Sequence, residues 1–154
     1  GATSKQFIKA FHYAFESYDF DALSPLLNTL NEDQGIYEAV KIIGDMITDG
    51  LSIIEYLAAN AEQYLRAYGF ETTFEGYKVY AINRALINSD FFESIDASKY
   101  DMFIGFSFNG GVWEYQLRSA EQDKVNVYEL AVKHGGGGHP NAAGFRSDKY
   151  VLGV

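Results

Sequence analysis

Along the first part of the chain, Phe7, Ala10, Phe11, Ala14, Phe15 and Tyr18 recur at intervals of three and four. That spacing gathers them on one stripe of an amphipathic helix, and Ser4 stands in front of it as an N-cap. A second apolar stretch ends near Leu30 and contains Ser24 and Pro25; a proline fits best in the first turn of a short helix. From Ile36 to Tyr68 the series Ile36, Val40, Ile43, Ile47, Leu51, Ile54, Leu57, Ala61, Leu65, Tyr68 steps by three or four throughout. Unbroken, it makes roughly 50 Å of helix at 1.5 Å per residue, so the pattern predicts one long helix or two stacked ones. Gly44 and Gly50 are its weak points, each costing about 1 kcal/mol relative to Ala, and Gly69 is placed to end it. The stripe reads as packing within its own domain; the alternative is a homodimer seam.

After Gly69 the period shortens. ETTF and YKVYAIN, rich in aromatic and β-branched residues, flank Glu75 and Gly76 and predict a hairpin. DMFIGFSF and VWEYQLR flank NGG and predict a second hairpin, turning at Asn109 and Gly110. Between them SDFFESI reads as a short helix capped by Ser89. Later, Val127, Leu130, Ala131 and His134 share one helical face. The expected fold class is therefore α/β: a mixed β-sheet flanked by helices over residues 70–154, preceded by a helical segment over residues 1–69.

Composition narrows what such a fold does. Hydrophobic residues make up 47% and charged residues 21% of the 154, which suits a folded globular chain and excludes a disordered one. With no cysteine, thiolate zinc sites, disulfides and cysteine nucleophiles are excluded. Twelve basic against twenty-one acidic residues give a net charge of −9, so the molecule as a whole repels long polyanions and any phosphate must meet a local site. The sequence shows no membrane-spanning stretch and no signal-peptide pattern, so a cytoplasmic location is expected. Because the first residue is Gly, we expect either an expression scar or a start within a longer gene product.

The densest chemical signal is HGGGGHPNAAGF, from His134 to Phe145. Successive glycines remove every Cβ from a segment and let backbone N–H groups approach an anion, so this run reads as a phosphate cradle. It lacks the Lys-Ser or Lys-Thr ending of a Walker A loop. Pro140 and the PNAAG that follows predict the first turn of a helix aimed at the same anion. His139 is placed to donate to a phosphate oxygen, whereas His134, on an apolar helical face, reads as structural. Two histidines five apart have no carboxylate near enough in sequence to complete a metal site. Upstream, Arg118 lies in QLRS at a strand end, where a guanidinium can hold a phosphate in a bidentate grip; taken alone, it reads as an ordinary surface salt bridge. Trp113 and Tyr115 are expected in the core, base stacking being the alternative.

Taken together, QLRS and DKVNVYELAVKHGGGGHPNAAGF resemble the C-terminal substrate-binding domain of DHH-family phosphoesterases. That family's pattern is an Arg-Ser strand end, a helix, and Gly-Gly-Gly-His followed by Ala-Ala-Gly. The resemblance covers about Gly69 to the end, and the helical region before it resembles the family's interdomain segment. It implies that Arg118 holds a substrate phosphate and that Gly136, Gly137, Gly138 and His139 line the pocket, with Asn141 a weaker candidate for a base or sugar. It also implies an N-terminal catalytic domain of the same polypeptide, with two metal ions, usually manganese, on Asp and His side chains that include an Asp-His-His run. No such run occurs among His12, His134 and His139, so no catalytic or metal-binding residue is assigned to this chain. The implied substrates are short RNA or small nucleotides, hydrolysed as by an oligoribonuclease, a nucleotide phosphatase or a cyclic-dinucleotide phosphodiesterase. The competing reading is a stand-alone nucleotide-binding or regulatory module without catalysis.

Overall fold

The structure, a computed structural model, describes residues 3–17 and 35–153. The short helix expected around Ser24 and Pro25 lies outside the described residues. The chain divides into two compact units, residues 1–59 and 60–154, and the division falls inside the long helix rather than at its end.

In the first unit, α1 spans Ser4–Ser17. Its cap is Thr3, not the expected Ser4. The Thr3 Oγ1 accepts from the Gln6 amide at 3.3 Å, and the Thr3 amide donates to Gln6 Oε1 at 2.7 Å. This reciprocal arrangement satisfies two backbone donors at once and outcompetes a lone serine. The long series forms a single helix, α2, of 34 residues from Gly35 to Tyr68. Gly44 and Gly50 do not interrupt it. Gly50 instead makes room for α1, since a Cβ there would overlap the Ala10 carbonyl, and Ala10, Ala14 and Met46 are fully buried.

The second unit is built on a six-stranded mixed sheet in the order β1-β2-β3-β4-β6-β5. The strands are β1 (Gly69–Phe74), β2 (Tyr77–Asn83), β3 (Met102–Asn109), β4 (Val112–Ser119), β5 (Gly137–His139) and β6 (Ala142–Ser147). Only β2 and β3 run parallel; every other pair is antiparallel. Both hairpins turn on two residues with positive φ, as the right-handed twist of paired strands requires. Glu75 and Gly76 make the first (φ 52° and 82°), and Gly110 and Gly111 the second (φ 59° and 96°). The second turn thus sits one residue beyond the expected Asn109–Gly110, because two glycines take both left-handed positions.

A third helix, α3 (Val127–Lys133), buries Val127, Leu130 and Ala131 on one face of the sheet. There they meet Leu117, Ala143, Phe145 and the fully buried Tyr115, so Tyr115 and the partly buried Trp113 belong to the core as expected. The opposite face is covered in part by Ala61 and Leu65 from the end of α2, and by Ile87, Phe91, Phe92 and Tyr100 from the crossover between β2 and β3. In that crossover SDFFESI forms only a 3-10 turn, Ser89–Phe92, whose cap position is Asn88 rather than Ser89. Phe92 stacks on Phe103 at 4.7 Å.

At the rim of this second face the Tyr100 hydroxyl donates to Glu71 Oε1 at 2.6 Å. That hydrogen bond, reinforced by burial, pushes the phenol up to about 12, and it holds the Glu71 carboxyl below its usual range. An unfolded tyrosine ionises near 10, so the folded state retains the proton longer, and this contribution to stability is complete below pH 10 and lost as pH rises towards 12. Denaturant midpoints measured across that interval are therefore expected to fall more steeply for the native chain than for Tyr100→Phe. Parallel curves would show that the bond carries no linkage.

Candidate functional site

The strand register aligns one residue from every strand in a single row: Glu71, Tyr80, Phe103, Arg118, Ala142, His139. Directly paired residues point to the same side of a sheet, so Arg118 and His139 share the face opposite α3, with only the methyl of Ala142 between them. Neighbouring strands lie about 4.8 Å apart, which puts the two backbones roughly 10 Å apart across β6. The next row is Gly69, Ile82, Gly105, Gln116, Gly144, Gly137. Gly105 is covered by Ile87, whereas Gly144 and Gly137 leave a shallow floor beside Arg118 and His139.

Arg118 is half-buried. Its guanidinium makes two long hydrogen bonds, to the Leu117 carbonyl at 3.3 Å and the Ile87 carbonyl at 3.4 Å. No carboxylate among the described residues lies within ion-pair reach of it. Burial alone lowers its pKa, which is the signature of a cation removed from water without a compensating charge. Most of its five donors stay available to an incoming anion. Gln116, two residues earlier on the same face, accepts from the Ile87 amide at 3.2 Å. Together Gln116 and Arg118 clamp the Ile87 backbone against the sheet, over the Cβ-less Gly105. Sequence reasoning missed Gln116, although the alternation in VWEYQLR, apolar at 113, 115 and 117 and polar at 114, 116 and 118, carried the signal.

The glycine run is not one loop. Gly135, at φ 76°, ends α3; its amide bonds Val132 and that of Gly136 bonds Ala131, which satisfies helix carbonyls as a Schellman-type cap does. Those two amides are thus committed to the helix and do not join a shared cradle. Gly137, Gly138 and His139 then pair with β6 as the edge strand β5, and only the backbone groups on its outer side lie free of the sheet. The helical turn expected from PNAAG is instead a turn leading into a strand, because Ala142–Ser147 completes the sheet. His139 is exposed. His134 is structural as expected: its ring stacks on Phe145 at 4.5 Å, and Nε2 lies 2.8 Å from Glu75 Oε1.

Asn141 has another task. It accepts from the Asp123 amide at 2.8 Å and donates to the Asp123 carboxylate at 2.9 Å, which pins the connection from β4 to α3. Ser119 orders the same connection through its hydroxyl, accepting from Val125 and donating to Glu121. Both polar atoms of the Asn141 side chain are therefore engaged with Asp123.

Among the described residues, no group of three or more His, Asp or Glu side chains is placed to hold a metal ion. No described helix is long and apolar enough to cross a membrane.

No family model matches the chain, and no curated protein sequence does. Solved structures do. A pGpG-specific phosphodiesterase, PggH from Vibrio cholerae, superposes with a TM-score of 0.50 at 12% identity, over 79% of this chain and 51% of that one. Over that span the chain shares the fold of this phosphodiesterase. An uncharacterised Helicobacter pylori G27 protein aligns over 95% of this chain and 44% of its own length, at TM-score 0.46 and 17% identity. A DHH domain from a member of a family of ribosomal proteins aligns over 90% of this chain and 41% of its own, at TM-score 0.46 and 9% identity. The chain spans about half the length of the first of these and less of the others, and at such identities the likeness is one of fold.

Proposed function

We propose that this chain is the nucleotide-binding part of a DHH-family metal-dependent phosphoesterase, and that the sheet face carrying Arg118 and His139 is where it meets substrate. One observation carries the reading: Arg118 is a half-buried guanidinium with no acidic partner among the described residues, in a protein where acids outnumber bases. Keeping a cation partly out of water costs free energy unless a counter-charge arrives. A phosphate supplies that charge and fits the planar fork of the group.

On this reading Arg118 holds a non-bridging phosphate oxygen. His139, across Ala142 on the edge strand, donates an imidazole N–H to the same phosphate or its neighbour. Gly137 and Gly144 leave the floor low enough for a sugar-phosphate backbone to lie on it, and Gly138 lets the edge strand approach β6 closely. The described residues do not fit the manganese that the DHH resemblance implies, so this reading assigns the metals to a catalytic domain elsewhere in the same polypeptide and no step to them here. The specificity of the Vibrio enzyme for the dinucleotide pGpG is in keeping with short RNA or a small nucleotide as substrate. So is the net charge of −9, which disfavours long strands.

The test is a hydrolysis screen of the complete gene product with manganese on short RNAs, adenosine bisphosphate and cyclic dinucleotides. Turnover of at least one class is expected. Binding without turnover would favour the stand-alone module, and neither would remove the reading. This chain by itself is expected to bind nucleotide without hydrolysing it; metal-dependent turnover by the purified chain, abolished in His139→Ala, would overturn that.

A further inference from the structure

The chain has four arginines, Arg66, Arg84, Arg118 and Arg146. Arg66 pairs with Glu62 at 2.6 Å and Arg146 with Glu114 at 2.9 Å. Arg84, like Arg118, has no carboxylate within ion-pair reach among the described residues, and it too is half-buried. Its guanidinium lies over the ring of Tyr64 and over the ring of Phe91, 4.6 Å from each centroid. Two aromatic faces attract the charge and hold the group in place. They do not use up its N–H donors, which need oxygen acceptors in or near the guanidinium plane. The side chain is thus held by its faces, and its edges stay open to an incoming acceptor.

Its position ties it to Arg118. The chain leaves β2 at Asn83 and folds back over Gly105 of β3, where a side chain would collide with Ile87 and sit 3.2 Å from the Arg84 carbonyl. Three residues after Arg84, the Ile87 backbone meets both Gln116 and Arg118. Phe91 and Phe103 belong to one apolar cluster, and Phe103 is the direct strand partner of Arg118. The two guanidiniums therefore border the same cluster on the same face. Three residues of chain span at most about 11 Å, so Arg84 leaves the backbone within that reach of Ile87, whose carbonyl Arg118 touches.

We propose that Arg84 is a second phosphate-binding position: it takes the terminal phosphate of a short nucleotide whose inner phosphodiester rests at Arg118. The inference builds on the nucleotide reading of the Arg118 face. It makes the face selective for substrates that carry two separated phosphate charges over those with one, because an unphosphorylated end leaves Arg84 partly out of water and unpaired.

The test is calorimetric titration of the chain with the dinucleotide pApA, which has a 5′-phosphate, and with ApA, which lacks it. The native chain is expected to bind pApA about tenfold more tightly, the size of one charge-assisted contact. Arg84→Gln should bind both probes at the ApA affinity. Arg84→Lys keeps the charge over the rings but not the fork, and should keep part of the preference while leaving the melting temperature unmoved. Arg118→Ala should weaken both probes. If Arg84→Gln and Arg84→Lys weaken both equally, or neither, while Arg118→Ala still weakens both, the inference falls and the reading of Arg118 stands. If the native chain binds neither probe, the reading of the face falls and the inference with it.

Discussion

Arg118→Ala in the complete gene product is expected to lower kcat/KM for its nucleotide substrate by roughly 10- to 150-fold, the equivalent of about 1.5–3 kcal/mol for a charge-assisted phosphate contact. The same substitution should leave the fold intact. Its two contacts with the protein, at 3.3 and 3.4 Å to carbonyl oxygens, are at the long end of the hydrogen-bond range. The group is also partly desolvated with no counter-charge among the described residues, so removing it relieves a penalty as much as it loses a bond. Thermal unfolding should therefore move by a few degrees at most, in either direction, while activity per folded molecule drops. A large fall in melting temperature with unaltered kinetics per folded molecule would identify Arg118 as scaffold. The fork is the point of the residue, so Arg118→Lys should recover only part of the loss.

The strand-end position of Arg118 was legible in the sequence because alternation defines its strand, whereas a guanidinium without an acidic partner among the described residues was not. The sheet was legible for the same reason: β1 to β4 are two hairpins whose turns, Glu75–Gly76 and Gly110–Gly111, announce themselves by residue type. The glycine run was legible as a place where side chains are excluded, but not as to why. Four glycines satisfy the requirements of a cradle, a helix cap and a tight strand approach equally well, and only the pairing of β5 with β6 divides them among those tasks. The strand at Ala142–Ser147 was misread as a helix because Pro140 suits a helix's first turn and two alanines follow it, and its partners in β4 lie more than twenty residues earlier. Arg84 left no trace in the sequence. The residues that give it meaning, Tyr64 on α2 and Phe91 in the crossover, meet it only through the packing of the cluster beneath.

Gly136 and Gly137 are adjacent and chemically identical, yet their replacement by valine should fail in opposite ways. A Cβ on Gly136 would press on the Gly144 carbonyl and stand 2.7 Å from the Phe145 Cα. Both neighbours are backbone of β6, and β6 is paired on its two sides, so it cannot move aside without breaking pairs. Overpacking of that kind costs about 2–3 kcal/mol, which for a domain of this size lowers the melting temperature by roughly 5–10 °C. A Cβ on Gly137 meets nothing within 4 Å. The residue lies in a strand, where valine is favoured, so Gly137→Val should fold as well as the native chain or slightly better. Its side chain, however, would stand up from the floor in the row of Gln116 and Gly144, beside Arg118 and His139. It should obstruct a nucleotide before any chemistry begins, raising KM severalfold while kcat for bound substrate is held. Differential scanning calorimetry and steady-state kinetics on the two variants separate these outcomes. A Gly137→Val protein with native KM would show that substrate does not lie on this face of the sheet.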